Sequence, residues 1–323
     1  MIGLMVLNHN GKHWLWPLFD SIRCNGHPGV RIYLVDNCSN DGSAESTLRS
    51  HPDVTVIRMP ENLGYGMAYN LAMPRAFADG CEWVIWANND VLLEPGCLQE
   101  LDRAVHSDPD IGVAGPAFLS WDSDGPNYYM EGKHPELIPA MKARSSIAAD
   151  VDWVEGSFLM VSHNAVKTVG PLDPHFFAFW EEADFCRRVR HSGMRVVLVP
   201  SARARHYGGM SFSRESNRAL REWLQSRNYH FYKLTDPRRS FTGNLLASAR
   251  LLATNIKSKS KNSPAAALLE LRAWAAALMK AGVLYRKWTH DRHHIPPAPL
   301  DQRHQGVQPE ILVSISRGAI LGK

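Results

Sequence analysis

Four short apolar runs occupy the first 90 residues, and each is stopped by a cluster of Asn, Asp or Gly. Ile2–Leu7 ends at Asn8–Lys12, and Val30–Val35 ends at Asp36-Asn-Cys-Ser-Asn-Asp-Gly42. Val54–Arg58 leads to Asn62-Leu-Gly-Tyr-Gly66, and Trp83–Ala87 stops at Asn88-Asn-Asp90. Between them lie helix-patterned stretches: one around Trp14–Ile22, one over Ser43–Ser50 with Ser43 as N-cap, and one from about Met67. Pro74 predicts a kink or restart in the last of these. Strand and helix alternating at this spacing leave few folds open, chiefly an α/β chain with a mainly parallel sheet covered by helices. Ligands of such sheets collect at the carboxyl ends of the strands, where the polar clusters fall.

The pattern continues less regularly. Cys97–His106 reads as helix and Ile111–Phe118 as strand, while Ser120–Ala149 carries the breakers Gly125-Pro126, Pro135 and Pro139 and reads as loop. Val151–Ser162 predicts a buried strand with Glu155 and Gly156 inside it. Glu181–Ser192 predicts a helix, Val196–Val199 a strand and Leu220–Leu234 an aromatic-rich helix. Past Pro237 the composition changes, and Leu245–Ile256 and Ala265–Trp288 are helical and amphipathic, with Ile295–Pro299 and the polar stretch to Val307 reading as tail. These shifts divide the chain into a body (1–236), a basic helical extension (237–292) and a tail (293–323).

Charge sharpens the division. The 323-residue chain carries +4, yet residues 1–237 carry −6, residues 238–292 carry +9 and the remainder +1. Basic amphipathic helices suit an anionic lipid surface; a packed helical subdomain with a solvated face accounts for them equally. No nucleic-acid motif accompanies the charge, so nucleic acid is not expected as a partner. No run of 18 apolar residues occurs, which argues against a spanning helix. Five scattered cysteines without a C-x-x-C pair argue against a disulfide framework or structural zinc and fit a reducing compartment. The expected location is the cytoplasm, with peripheral contact at the inner face of the membrane.

The polar clusters each admit two readings. Asp36-Asn37 at a strand end can bind a base edge or a ribose hydroxyl, or merely form an Asx-turn. Asn62–Gly66, with glycines before a helix, can let backbone N–H groups approach a phosphate, or can be a tight turn. Asp90 can bind a divalent cation that bridges a diphosphate, or can close a turn. Glu181, Glu182 and Asp184 open a helix behind the apolar run Phe176-Phe-Ala-Phe-Trp180; they suit the helix dipole, and apolar surroundings would also lift a carboxylate toward the range of a general base. Asp184 can instead pair with Arg187 or Arg188. His206 can be structural or complete a metal site, and Arg203 and Arg205 beside it can neutralise phosphate.

Taken together, the order and spacing of these clusters resemble family-2 glycosyltransferases of the GT-A fold, particularly the bacterial rhamnosyltransferase-like branch. The matching residues are Val6-Leu-Asn-His-Asn10, Val35–Ser43, Asn62–Gly66 with Asn70, Asn88-Asn-Asp-Val91, Val154-Glu-Gly-Ser-Phe-Leu-Met160, Gly170-Pro-Leu-Asp173, Phe176-Phe177, Glu181-Glu-Ala-Asp184 and His206. They span about residues 1–235. The resemblance implies a GT-A fold with a Rossmann-like sheet, and inverting transfer of a sugar from a nucleotide diphosphate donor, with rhamnose from dTDP-rhamnose as the leading donor. UDP-hexose and UDP-galactofuranose are the other donors it allows, and a catalytically inactive nucleotide-sugar-binding or glycan-binding protein is the alternative of a different class. The implied acceptor is a cell-surface glycan or lipid-linked sugar, as in cell-envelope polysaccharide biosynthesis.

The resemblance also implies roles for residues. Asn8, Asp36, Asn37, Asn62, Gly64, Asn88 and Asn89 would line the nucleotide pocket. Asp90 and His206 would hold Mg²⁺ or Mn²⁺, with Asn88 standing where many members have Asp. Glu182, or its neighbour Glu181, would be the catalytic base, and Trp153, Glu155, Gly156 and Trp180 would form the acceptor side.

Overall fold

The computed structural model describes residues 1–208, 215–260, 263–288 and 310–312. Among the described residues ten strands form one sheet. They are β1 (Ile2–Asn8), β2 (Val30–Asp36), β3 (Thr55–Arg58), β4 (Trp83–Asn88), β5 (Val91–Leu93), β6 (Ile111–Leu119), β7 (Ala149–Asp150), β8 (Phe158–Ser162), β9 (Arg195–His206) and β10 (Glu310–Leu312). The helices are α1 (Lys12–Asn25), α2 (Ser43–Ser50), α3 (Gly64–Ala78), α4 (Cys97–Ser107), α5 (Tyr128–Lys133), α6 (Ile138–Lys142), α7 (His163–Val169), α8 (Glu181–His191), α9 (Glu215–Leu234), α10 (Phe241–Ser260) and α11 (Pro264–Trp288).

The strand order is β10-β3-β2-β1-β4-β8-β6-β9-β5, with β7 paired to β9. The half built from β3, β2, β1 and β4 is parallel, as the alternation predicts. Beyond β4 the sheet is mixed: β8 runs antiparallel to both β4 and β6, and β5 antiparallel to β9, while β6 and β9 are parallel. The parallel strands are buried on both faces, which is why they read as near-continuous apolar runs.

Several local expectations need correction. Glu155 and Gly156 lie in the loop before β8, because the strand starts only at Phe158. β9 is longer than its apolar run and includes His206 itself. Ser43 is the first residue of α2 rather than its cap; Gly42 precedes it in a left-handed conformation, and the Asp41 side chain accepts from the Ser43 N–H. α3 begins at Gly64 and runs through Pro74 as one helix. The Ser120–Ala149 stretch contains the short helices α5 and α6. Most of the tail lies outside the described residues, but Glu310–Leu312 pairs antiparallel with β3.

The helical extension is not a separate appendage. Ala277 and Ala281 of α11 pack with Phe231, Tyr232 and Leu234 of α9, with Ala183 in the first turn of α8 and with Phe176 in the segment before it. Buried Glu270 of α11 accepts from Ser226, Asn255 and Lys259 and contacts His230 Nε2 at 2.9 Å, tying α9, α10 and α11 together. Among the described residues no helix is long and apolar enough to cross a membrane.

Candidate active site

The carboxyl ends of β1, β2 and β4 lie side by side, in the register Asn8↔Asp36 and Leu7↔Asn88, so the polar clusters meet in one crevice. Asn8 is its hub rather than a free group. Its amide nitrogen donates to Ser39 and Ser43, and its carbonyl oxygen accepts from Asn89 and from the Gly11 N–H. A Cβ at Gly11 would stand 2.0 Å from the Asn89 amide nitrogen, so a side chain there would push Asn89 from its place on Asn8. Asn37 staples the next loop: it donates to Asn62 Oδ1 and the Gly64 carbonyl and accepts from the Leu63 N–H.

Asp36 is different. It is fully buried, and neither carboxylate oxygen has a hydrogen bond, although Arg58 Nε approaches Oδ2 to 3.2 Å. Burial raises its pKa against the lowering influence of Ser39 and Arg58. A buried acceptor with unfilled capacity, walled by saturated amides, is suited to accept N–H or O–H groups of a ligand.

At the other end of the crevice stands a carboxylate–imidazole–carboxylate row. The β5–β9 register sets His206 opposite Val91, beside Asp90. Asp90 is fixed through Oδ2, which accepts the Gly208 N–H, and through its backbone oxygen, which accepts the Tyr207 N–H. His206 Nδ1 lies 2.6 Å from Glu155 Oε1, and Nε2 lies 3.3 Å from Asp90 Oδ1 without the alignment of a hydrogen bond. Burial disfavours the imidazolium, but the bonds and charges of Asp90 and Glu155 outweigh it and push its pKa up to about 10. Among the described residues no three His, Cys, Asp or Glu side chains converge on one point. The donors here are therefore two, Asp90 Oδ1 and the orphaned Nε2, which suits a hard cation that takes its other ligands from a diphosphate.

The two glutamates of α8 diverge by one helical step. Glu181 is 3% exposed, with Oε2 unpartnered, and burial and the Glu182 charge raise its pKa well above the usual range. Its charge is felt by Tyr69 in the core. Glu182 instead lies against Gly156, where a Cβ would stand 3.1 to 3.4 Å from its side-chain carbons, and it feels the charge of Glu155. Burial is the main cause that brings Glu182 to about 7. Asp184 is held by Arg187 and Arg188 in a buried cluster and is depressed, so its role is structural.

The segment before α8 is held in an unusual backbone. Phe179 and Trp180 have φ of 71° and 75°, a left-handed region that side chains other than glycine and asparagine rarely enter. Buried Asn228 of α9 donates to the carbonyls of Ala178 and Phe179, and Arg227 and Lys280 donate to that of His175. Trp180 packs on Tyr229, Tyr232 and Trp153, with centroids 4.5, 5.5 and 6.1 Å away. Gly64 is needed beneath this segment, because it has φ +75° and a Cβ would stand 2.2 Å from the Phe177 carbonyl oxygen.

The sequence-chosen residues thus gather in one place, with different standing. Asp36, Glu155, Glu181 and His206 each keep a buried side-chain atom without a hydrogen-bond partner, whereas Asn8, Asn37 and Asn62 are hydrogen-bonded. Arg205 is committed to Glu94, Asp124 and the carbonyls of Ser120 and Ser123, which leaves it organising the 120–124 loop rather than free for phosphate. The motifs did not mark Asn228, nor the rings of Trp14, Trp121 and Tyr207 that pack together beside Asp90, with centroids 4.8 to 5.7 Å apart. An Asn between aromatic residues in a helix was the available signal for the first.

Comparison with known proteins identifies the family and the fold. The family described as Glycosyl transferase family 2 matches residues 4–169. The N-acetylglucosaminyl-diphospho-decaprenol L-rhamnosyltransferase of Mycobacterium tuberculosis is 31% identical over 214 residues, covering 58% of this chain and 69% of that protein. The dTDP-rhamnosyl transferase RfbF of Shigella flexneri is 23% identical over 180 residues, covering 54% and 59%. Among solved structures, the mannosyltransferase PcManGT from Pyrobaculum calidifontis in complex with GDP-Man and Mn²⁺ superposes with a TM-score of 0.57 at 18% identity, covering 90% of this chain and 83% of that one. S. aureus TarS 1–349 with UDP-GlcNAc gives 0.56 at 14% identity, covering 87% and 80%. The chain is a nucleotide-sugar glycosyltransferase with the GT-A fold, similar to rhamnosyltransferases, and it belongs to glycosyl transferase family 2.

Proposed function

We propose that the protein transfers rhamnose from dTDP-rhamnose, with inversion, to a lipid-linked or cell-envelope glycan acceptor. The observation that carries the reading is Glu182, a carboxyl at about 7 that lies against Gly156 and feels the charge of Glu155. Such a group can take a proton near neutral pH. The similarity to two rhamnosyltransferases supports the donor, and the decaprenol-linked substrate named for one of them supports the acceptor class.

In this reading Asp36 accepts hydrogen bonds from the nucleobase, on a floor made rigid by Asn8, Asn37, Asn62, Gly64, Asn88 and Asn89. Asp90 and His206 would hold Mn²⁺ or Mg²⁺, and a cation there would supply charge neutralisation for a leaving diphosphate. The acceptor hydroxyl attacks the anomeric carbon from the face opposite the diphosphate. Its proton passes to Glu182 while the bond to the diphosphate oxygen breaks. One base suffices for this single displacement. Glu181, deeper and directed toward the core, is left as a neutral neighbour. Trp153, Gly156 and Trp180 border the acceptor side.

Exposed Leu246, Leu268, Leu271 and Met279, together with exposed Arg250, Lys257 and Arg272, support peripheral contact of α10 and α11 with an anionic membrane at its inner face. Lys259 and Lys280 are engaged within the protein, while Lys261 and the side chains of Arg286 and Lys287 lie outside the described residues. The test is transfer to a polyprenyl-diphosphate sugar from dTDP-rhamnose, UDP-galactofuranose and UDP-hexoses, each with Mn²⁺ and with EDTA. Turnover that favours a UDP-sugar overturns the donor assignment, and equal rates in EDTA overturn the cation.

A further inference from the structure

Glu155 falls on the acceptor side by its place in the sequence, yet its hydrogen bonds point elsewhere. We propose that Glu155 is a positioning residue for His206: its carboxylate fixes the imidazole so that Nε2 faces Asp90 as a cation ligand. This rests on the reading of Asp90 and His206 as the cation-holding pair.

Glu155 Oε1 is the hydrogen-bond partner of His206 Nδ1 at 2.6 Å, and it accepts from the Ser157 hydroxyl at 3.0 Å. Both ring and carboxylate are close to buried, with side chains 10% and 11% exposed. With Nδ1–H committed to Glu155, the cation-binding form of the ring carries its lone pair on Nε2, 3.3 Å from Asp90 Oδ1. Two lone-pair donors facing each other in a buried site are left uncompensated unless a proton or a cation lies between them.

A carboxylate behind a ligating imidazole does two things: it fixes the ring's tautomer and orientation, and it raises the basicity of the far nitrogen. The backbone holds this row in place from two directions. The Ser157 carbonyl accepts the Asn88 N–H, which seats the Glu155 loop on the end of β4, and the β5–β9 pairing seats His206 beside Asp90. The Glu155 bonds to Ser157 and His206 both use Oε1, and Oε2 has no hydrogen-bond partner.

The test uses the full-length, metal-stripped protein with dTDP, titrated with Mn²⁺ and followed by the paramagnetic resonance signal of free Mn²⁺. Glu155→Gln is expected to weaken Mn²⁺ binding about 10- to 100-fold. In transfer assays it should raise the KM for Mn²⁺, recover kcat at saturating Mn²⁺, and leave the acceptor KM unchanged. Mn²⁺ binding within threefold of the wild type, or a raised acceptor KM at saturating Mn²⁺, overturns the proposal. Asp90→Ala and His206→Ala serve as references. If both bind Mn²⁺ like the wild type, the cation reading falls and this inference with it; if both lose binding while Glu155→Gln keeps it, only this inference falls. Should Glu155→Gln fail to fold, Glu155→Asp carries the same test, because retreat by one methylene breaks the 2.6 Å contact while keeping the charge.

Discussion

Replacing Glu182 by Gln separates what its carboxylate does for chemistry from what it costs the fold. The group sits at about 7 against an ordinary 4.5, chiefly through burial. A raised carboxylate is one whose neutral form the fold prefers. Below about pH 4.5 it therefore costs nothing, and between 4.5 and 7 its ionisation removes stability progressively; the loss stays constant above that. The interval between 4.5 and 7, at about 1.4 kcal/mol for each pH unit, sets a ceiling of about 3 kcal/mol. Glu182 keeps partial access to solvent, which reduces the expected cost to about 1–3 kcal/mol.

Gln has nearly the same shape and does not ionise. In metal-free protein Glu182→Gln should therefore melt above the wild type at pH 8, by about 2–4 °C for each kcal/mol, and the gap should close toward pH 4.5. Transfer should fall by about 10²- to 10⁴-fold, the usual contribution of a general base. Thermal melts of EDTA-treated protein at pH 4.5 and 8, together with initial rates in Mn²⁺, measure both. A variant that melts no higher than the wild type at pH 8, or whose gap is independent of pH, refutes the electrostatic argument. Undiminished transfer refutes the assignment of the base.

Three further outcomes follow from the same geometry. Gly64→Ala should destabilise by at least about 2 kcal/mol, because the position combines a left-handed φ with a contact against the Phe177 carbonyl; equilibrium denaturation measures it. Asp184→Asn leaves two buried guanidiniums without their counter-charge and should cost about 3–5 kcal/mol. Because the Asp184 pKa is depressed, the wild type holds this contribution above the ordinary carboxylate range and loses it as pH falls below it, so the penalty of the variant should shrink in acid. Asn228→Ala strips donors from the Ala178 and Phe179 carbonyls and should cost about 1–3 kcal/mol; its kcat should fall while the donor KM holds, since the nucleotide crevice is built by other strands.

Much of the site was legible because strand ends and their polar stops are local in sequence. Asp36, Asp90 and the start of α8 fall where the apolar runs predict. What was not legible is non-local. Nothing in Phe158–Ser162 says that it runs antiparallel to two neighbours, and the apolar residues of Val151–Val154 made the preceding loop resemble strand. The small-then-arginine alternation Ala202-Arg-Ala-Arg205 is a period-2 strand signal that extends β9 to His206. An asparagine that binds a ligand and one that staples a loop are the same letter, so Asn8 and Asn37 could be told from Asp36 only by counting their hydrogen bonds. Glu181 and Glu182 differ only by 100° around a helix, which no motif resolves.

The left-handed pair Phe179–Trp180 also bears on the order in which the protein comes into being. The crevice around Asp36 is drawn from β1, β2 and β4, which end by residue 88, and all of them have been synthesised long before His206 joins Asp90. The seat of Glu182 depends on Asn228 and Lys280, which join it from about 50 and 100 positions downstream. Synthesis runs from the N-terminus onward, so the residues of the proposed nucleotide floor leave the ribosome well before Asn228 and Lys280, which restrain the turn that seats Glu182, the proposed base. The residues proposed to bind the donor thus emerge before those that seat the proposed base, and α11 is the last of the described helices to do so.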